Sequence, residues 1–197
     1  LVVSDVYTLP DLLARAVNEH PDSDIVVFPN SRTTFTELYE RASKAARSLK
    51  AIGIKQGDSV GILMSNCIEF VDLLLGSQLI GAIPVPINAR YKAKELAYVI
   101  DDAGLKVLAT TDRIVEHVDF VNLLQEAFPD LENQADPMRL ELSEARNLNS
   151  IILFGERMPT GMLDTETFET LSKNIDEEAI EISRSRLQVR DIAMMMY

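Results

Sequence analysis

Two basic side chains stand where a parallel sheet would present them to a ligand. Arg90 and Lys92 follow residues 82–87, a short apolar run that predicts a strand. They would then lie at the carboxyl edge of a sheet, where open α/β folds bind ligands, and could contact a phosphate. A solvated loop is the alternative interpretation, and the residues alone leave both open. Arg113 and Arg157 follow later predicted strands but stand singly.

The other candidate residues do not form a catalytic set. His20 and His117 have no serine, cysteine or second ligand at an informative spacing, so we interpret both as surface histidines. Cys67 would stand in the first turn of a helix, where the dipole could activate its thiol, but a small buried side chain is the commoner role. The glycines near residues 53–61 precede and enter a strand, which excludes a dinucleotide-binding loop. We therefore predict no catalytic residue and no metal ligand.

The elements that must position Arg90 are predicted by alternating patterns between residues 58 and 111. Short apolar runs indicate buried strands, and runs with apolar residues at helical spacing indicate helices. Asn66 with Glu69 has the spacing of a capping box, and glycines at 81 and 104 would end the two helices. The predicted order is strand 59–64, helix 66–79, strand 82–87, helix 93–102 and strand 106–110. Two such βαβ units predict the α/β class, with a parallel sheet flanked by helices.

Further elements are predicted on both sides of these units. Thr8 can cap a helix, with Asp11 favourably placed at the positive end of its dipole. Thr34 with Glu37 has the spacing of a capping box, and Asp112 is a third candidate cap. The predicted elements are a helix from Thr8 with Leu9 and Leu12 in its apolar stripe, strand 24–28 with a return strand at 32–33, a helix from Thr34 to residue 52, helix 114–128, strand 149–154, helix 165–173 and a strand-like run at 191–197. Residues 129–147 hold few apolar positions, so we expect an exposed connection or insertion there.

Composition excludes several classes of partner and location. A formal net charge of -12 opposes binding to nucleic acid or to an anionic membrane surface. The single cysteine excludes an intrachain disulfide and fits a reducing compartment, so we expect a cytoplasmic protein. No apolar run reaches the roughly 20 residues that a transmembrane helix needs. The first residues show no signal-peptide pattern.

Three segments, in order and spacing, resemble the N-terminal third of the adenylate-forming acyl-CoA synthetases. They are TTFTEL at 33–38, GDSVGILMSN at 57–66 and GAIPVPIN at 81–88. The resemblance continues through 95–98 and 102–108, is lost in 129–147 and returns at 151–156 and 168–171. In the family, a segment similar to residues 191–197 runs into a glycine- and threonine-rich loop that wraps the ATP phosphates. We therefore expect residues 1–197 to be the N-terminal portion of the large AMP-binding domain, cut just before that loop.

The resemblance implies a parent enzyme that adenylates a carboxylic acid, here a fatty acid, with Mg-ATP and passes the acyl group to coenzyme A. The groups that hold the phosphates and the metal in the family lie beyond residue 197. It therefore implies no activity and no bound cofactor for residues 1–197 alone. In some relatives an arginine at the position of Arg90 touches the phosphates of coenzyme A, so Arg90 is the cofactor-binding residue that the resemblance implies.

Two alternatives share this architecture. One is the N-terminal part of a peptide-synthetase adenylation domain or of a luciferase-like oxygenase, which hands its adenylate to another acceptor. The other is a non-catalytic α/β binding module. Apolar side chains at 194–196 lead us to expect some self-association, so a homo-oligomer is the protein partner considered.

Overall fold

The computed structural model describes residues 7–114 and 118–197. His117 and the first six residues therefore lie outside the described part of the chain. The elements are α1 (Leu9–Glu19), β1 (Asp24–Phe28), β2 (Ser31–Thr34), α2 (Phe35–Ala51), β3 (Ser59–Leu63), α3 (Ile68–Leu79), β4 (Ile83–Pro86), α4 (Ala93–Asp102), β5 (Leu105–Thr111), α5 (Phe120–Ala127), β6 (Ser150–Phe154), β7 (Leu163–Asp164), α6 (Thr165–Leu171) and α7 (Glu178–Ser185). Short 3₁₀ helices occupy Pro129–Asn133 and Ser172–Asn174.

A parallel sheet forms the centre of the molecule and confirms the predicted fold class. Its strand order is β4-β3-β5-β6-β7, and every neighbouring pair is parallel. All five residues of β3 are buried, as expected for an apolar strand covered on both faces. Strands β1 and β2 form a separate antiparallel ribbon.

Helices cover both faces of the sheet. Successive residues of a strand point to opposite faces and so belong to two different hydrophobic cores. Ile151 and Leu153 face one core with α4 and α5, whereas Ile152 faces the other with α2, α3, α6 and α7. This alternation follows from the two-residue period of a strand. The fold is thus a three-layer α/β arrangement.

The predicted cap at Thr8 and the predicted capping box of Thr34 with Glu37 are confirmed, because each threonine hydroxyl accepts the backbone N–H three residues on. Helix α4 has the predicted bounds. Gly81 and Gly104 have φ angles of 72° and 58°, which is the left-handed conformation that lets glycine end a helix.

Two predicted caps are wrong. Asn66 is exposed, and α3 begins after Cys67, which makes no side-chain capping bond. Asp112 does not cap a helix, because α5 begins at Phe120 and is capped by Asp119. The carboxylate of Asp112 instead accepts two backbone N–H groups of the loop after β6.

Residues 129–147 are not simply an exposed connection. Their polar side chains are mostly exposed, but four apolar side chains are buried in the core beside α5: Leu131, Leu140, Leu142 and Ala145. Gln134 stabilises the segment by accepting the N–H of Glu141 at 2.8 Å and donating to the carbonyl of Asp130 at 3.2 Å. These four apolar residues are therefore core residues, whereas Met138 is exposed.

Apolar exposure and the C-terminal run also differ from expectation. Leu9 and Leu12 keep 48% and 45% of their surface exposed, so the buried side of α1 is formed by other residues.

Residues 191–197 are not a strand, although the N–H of Met195 donates to the carbonyl of Pro84 at 3.1 Å. Pro84 lies on the outer edge of β4, and a proline there has no N–H to return, which limits the ladder.

Helix α6 depends on Asp164 at its N-terminus, and this contact yields a pH-dependent prediction. The Asp164 carboxylate accepts the backbone N–H of Thr167 at 2.8 Å and its hydroxyl at 2.7 Å, and these bonds hold the pKa of Asp164 below its usual value. A carboxyl with a lowered pKa in the folded state stabilises that state above its ordinary pKa of about 3.9, and the contribution disappears as the pH falls through the lower value.

We therefore expect Asp164→Ala to lower the free energy of unfolding by about 1 kcal/mol at pH 7, measured by urea titration. The difference from the wild type should shrink as the pH is lowered below about 4. Glu132→Ala, at an exposed acid, should change the free energy by less than about 0.5 kcal/mol. A pH-independent loss at Asp164 would contradict the capping role.

Candidate functional site

An open cleft of about 530 Å³ lies at the carboxyl edge of the sheet, above the ends of β3 and β4. Its lining residues come from the segments after these two strands and from the start of α5: Met64, Ser65, Asn66, Asn88, Ala89, Arg90, Val118 and Phe120. Arg90 therefore lies at the edge of the sheet where the sequence predicted it. Parallel sheets bind ligands at this edge because the loops after successive strands converge there.

The segment that carries Arg90 is a tight turn. The N–H of Tyr91 donates to the carbonyl of Asn88 at 3.2 Å, and the N–H of Arg90 donates to the side-chain oxygen of Asn88 at 3.0 Å. Asparagine is favoured at the first position of such turns because its side chain can accept an N–H two residues on. Arg90 is exposed and lies two positions after Asn88. The turn therefore sets the position of Arg90 at the cleft.

Lys92 does not share the cleft with Arg90. It lies at the start of α4, where its backbone N–H donates to Glu95 at 2.9 Å, and it is outside the set of lining residues. The sequence predicted the two basic residues as one candidate pair, whereas the structure brings only Arg90 to the cleft.

Arg113 and Arg157 are each held by a carboxylate close to this edge. Arg113 donates to Glu69 at 2.9 Å, and Arg157 donates to both oxygens of Asp119 at 2.9 Å. Neither residue lines the cleft. Their positions fit a structural role, in which they join the loops after β5 and β6 to the starts of α3 and α5.

The charges around the cleft favour an anion. Arg90 is the only charged residue in the described lining, although the chain as a whole carries a net charge of -12. A guanidinium can donate parallel hydrogen bonds to a phosphate, and the described lining holds no carboxylate of the kind that usually binds Mg²⁺. The described residues of this cleft therefore fit a phosphate better than a magnesium ion.

A buried hydrogen bond joins two strands beneath the cleft. The Thr110 hydroxyl, at the end of β5, donates to the carbonyl of Leu63 at 2.9 Å, and both groups are buried. Because a buried hydrogen bond is costly to break, it fixes the ends of β3 and β5 relative to each other.

Cys67 lies next to the cleft but is not activated. The residue is 7% exposed, and burial raises the pKa of its thiol to about 11. The thiol is therefore protonated at neutral pH, in agreement with a small buried side chain and not with a nucleophile. At the neighbouring Glu69, burial opposes ionisation, but hydrogen bonds from its own backbone and Cys67 and the ion pair with Arg113 leave its pKa below the usual value.

The described residues contain no group of three or more histidine, cysteine, aspartate or glutamate side chains that could hold a metal ion. His20 is exposed at the end of α1, as interpreted from the sequence. No helix within residues 7–114 and 118–197 has both the length and the apolar character to cross a membrane.

A family model described as "AMP-binding enzyme" matches residues 13–197. The chain belongs to the AMP-binding enzyme family. Curated relatives of this AMP-binding chain include the long-chain-fatty-acid--CoA ligase FadD13 of Mycobacterium tuberculosis, which is 40% identical over 99 residues, 49% of the chain and 20% of the relative. The human mitochondrial medium-chain acyl-CoA ligase ACSF2 is 28% identical over 167 residues, 85% of the chain and 27% of the relative.

Two solved structures share the fold of this chain. A fatty acyl CoA synthetase of Mycobacterium tuberculosis superimposes with a TM-score of 0.67 at 23% identity, covering 97% of this chain and 32% of the other. The anthranilate CoA ligase AuaEII, in complex with anthranoyl-AMP, gives a TM-score of 0.68 at 23% identity, over 90% of this chain and 30% of the other. The AMP-binding chain spans between 19% and 35% of the length of its first curated relatives.

Sequence reasoning identified Arg90 but missed the neutral residues around it. Ser65, Asn66 and Asn88 line the cleft, whereas the spacing of Asn66 to Glu69 predicts a helix cap. Asn88 could have been found, because an asparagine directly after a strand and two residues before an arginine is a turn signal.

Proposed function

We propose that this chain is the N-terminal part of an acid–thiol ligase that adenylates a carboxylic acid with Mg-ATP and transfers the acyl group to coenzyme A. Support for the reaction class comes from the family match over residues 13–197 and from the names of the relatives. The fatty-acid substrate is the finer part of the proposal. It is supported by the 40% identity with a protein named as a long-chain-fatty-acid--CoA ligase.

Arg90 is proposed to bind a phosphate of coenzyme A. The observation that carries this assignment is its place as the only charged residue in the described lining of a cleft at the carboxyl edge of the sheet. A guanidinium can donate two parallel hydrogen bonds to a phosphate, which adds affinity and orientation. Arg90 would act by holding the thiol substrate and would take no part in the formation of the adenylate.

Residues 1–197 alone are proposed to be inactive and to bind no cofactor, and to form the N-terminal portion of a larger domain. The support is that the chain spans at most 35% of the length of its first relatives, so most of each relative lies outside the match. We expect no exchange of pyrophosphate into ATP by this chain with any carboxylic acid. Measurable exchange by the purified chain would contradict this proposal.

The test of the reaction uses the complete ligase and a series of carboxylic acids from short to long chain length. Pyrophosphate exchange measures adenylate formation, and loss of the free thiol of coenzyme A measures acyl transfer. Both reactions with a fatty acid would support the proposal. Adenylate formation without transfer to coenzyme A would instead favour the peptide-synthetase or luciferase-like alternative. Cell fractionation would test the proposed cytoplasmic location.

Arg90→Ala in the complete ligase should raise the KM for coenzyme A about tenfold, because a charge-assisted bond to phosphate contributes about 1.5 kcal/mol. Pyrophosphate exchange should be unchanged. The matched control is Lys94→Ala, which removes an exposed positive charge from α4 that does not line the cleft. An unchanged KM in Arg90→Ala would exclude the proposed contact.

A further inference from the structure

We infer that a pocket at the start of β4 is a binding site for a small neutral molecule that has an apolar ring and one hydrogen-bond donor. The pocket has a volume of about 160 Å³ and lies between the beginning of α1, the end of α3 and residues 187–193. Gly81 and Ala82, which precede β4, line this pocket, whereas Asn88 and Arg90 of the cleft follow β4. No described residue lines both, so the pocket is a separate site and does not depend on the proposed role of Arg90.

The wall of the pocket is largely apolar. Its apolar residues include Leu9, Pro10, Ala82, Leu187, Val189 and Ile192. An engineered protein cavity of about 150 Å³ with an apolar lining binds benzene, so a pocket of about 160 Å³ has room for one aromatic ring. Water makes few hydrogen bonds at such a wall, and its displacement by an apolar group therefore favours binding.

Two polar side chains of the wall are already paired within the protein. The Thr8 hydroxyl donates to Asp11 at 2.8 Å. The Asp191 carboxylate accepts the backbone N–H of Gln188 at 2.8 Å and the side-chain amide of Gln56 at 3.1 Å. Asp191 is the only charged residue in the described lining, and these bonds engage it in the structure of the wall.

Gln78 supplies a polar group that the protein leaves over. The residue lies in the wall of the pocket, and its side chain is 5% exposed. Its amide nitrogen donates to the carbonyl of Ala193 at 2.9 Å, which fixes the orientation of the amide. The amide oxygen has no donor among the described residues. Because a buried acceptor without a donor is unfavourable, a ligand that brings one N–H or O–H gains a hydrogen bond as well as apolar contact.

The chemistry of the wall selects the class of ligand. A negative charge would be repelled by the Asp191 carboxylate and by the Gln78 amide oxygen. A cation would have to leave water for a largely apolar wall, which is costly. Phenol has one apolar ring and one donor and is therefore the probe for this site.

The experiment measures the binding of phenol and of toluene to the chain by NMR titration. Toluene is similar in size but has no donor. Gln78→Met keeps the length of the side chain and removes the amide, so the ratio of phenol affinity to toluene affinity should fall about fivefold. The matched control is Gln125→Met, on α5 and outside the pocket, which should leave this ratio unchanged.

Two measurements on the wild-type chain test the site without any substitution. Nuclear Overhauser contacts from bound phenol should reach the methyl groups of Ala82 and Leu187, which line the pocket. Phenol should also bind more tightly than benzoate, which has the same ring and a negative charge. These measurements decide the inference if Gln78→Met does not fold.

Several results would overturn the inference. Phenol binding that does not saturate, or contacts of bound phenol with another part of the surface, would show that the pocket is not the site. Tighter binding of benzoate than of phenol would exclude a neutral ligand. An equal loss of phenol and toluene affinity in Gln78→Met would show that the amide only maintains the shape of the pocket and does not accept a hydrogen bond from the ligand.

Discussion

Replacing Phe168 with alanine will lower the free energy of unfolding by about 3 to 5 kcal/mol. Phe168 is the central side chain of the short helix α6 and is 1% exposed. Its ring packs edge to face on Phe154, at the end of β6, with ring centres 5.8 Å apart and an interplanar angle of 79°. Removing it takes away both the buried apolar surface and this aromatic contact, and leaves a cavity between α6 and the sheet.

The measurement is chemical unfolding of the chain with guanidinium chloride, followed by circular dichroism. Phe168→Leu is the matched control, because leucine keeps much of the buried volume, and we expect it to lose no more than about half as much stability as alanine. Met158→Ala, at a side chain that is 84% exposed, should change the free energy by less than about 0.5 kcal/mol. A loss in Phe168→Ala no larger than that in Met158→Ala would show that α6 does not depend on this anchor.

The elements that sequence reasoning predicted well are those with dense apolar patterns and explicit end signals. Helix α4 has the predicted bounds because its apolar residues recur at helical spacing and Gly104 follows it. Strand β3 is apolar except for Ser59, and all five of its residues are buried. In these elements the local pattern and the tertiary environment specify the same structure, so the sequence alone predicts both the element and its burial.

The elements that it missed depend on contacts between distant parts of the chain. Helix α7 is attached to the fold partly by Arg184, whose buried side chain pairs with Asp11 of α1 at 2.7 Å and with Glu181 at 2.9 Å. Glu181 also accepts a hydrogen bond from Tyr39 of α2. A pattern search counts such charges as solvent-exposed, because it cannot know that partners on other helices will satisfy them.

The wrong caps have a similar cause. Asn66 and Asp112 have side chains that suit a helix start, but each stands at the carboxyl edge of the sheet, and the helix that follows begins later than its position predicts. Asp112 accepts the N–H groups of Glu156 and Arg157, at 2.7 and 2.9 Å, and so holds the loop after β6. The sequence reveals that Asp112 is a good acceptor but does not identify the donor, because that donor lies 44 residues away.

The close packing of α2 against α3 leads to the last prediction, at Gly76. A Cβ atom added at this glycine would lie 2.8 Å from the carbonyl oxygen of Ala42 and 3.0 Å from the Cβ of Ala45. The first of these atoms belongs to the backbone of α2, so a local side-chain movement cannot relieve the overlap. The two helices would have to separate, which would loosen the core that they share with the sheet.

Gly76→Ala should therefore lower the free energy of unfolding by about 1 to 3 kcal/mol, and Gly76→Val should lower it further. The sign of the change in the free energy of unfolding decides between two effects. Helix propensity alone predicts a gain, because alanine in the interior of a helix is normally more stable than glycine by about 1 kcal/mol. Urea unfolding of the three chains gives the comparison. If Gly76→Ala were instead stabilising, helix propensity would outweigh packing, and the small residues of α2 would not be needed for the approach of the two helices.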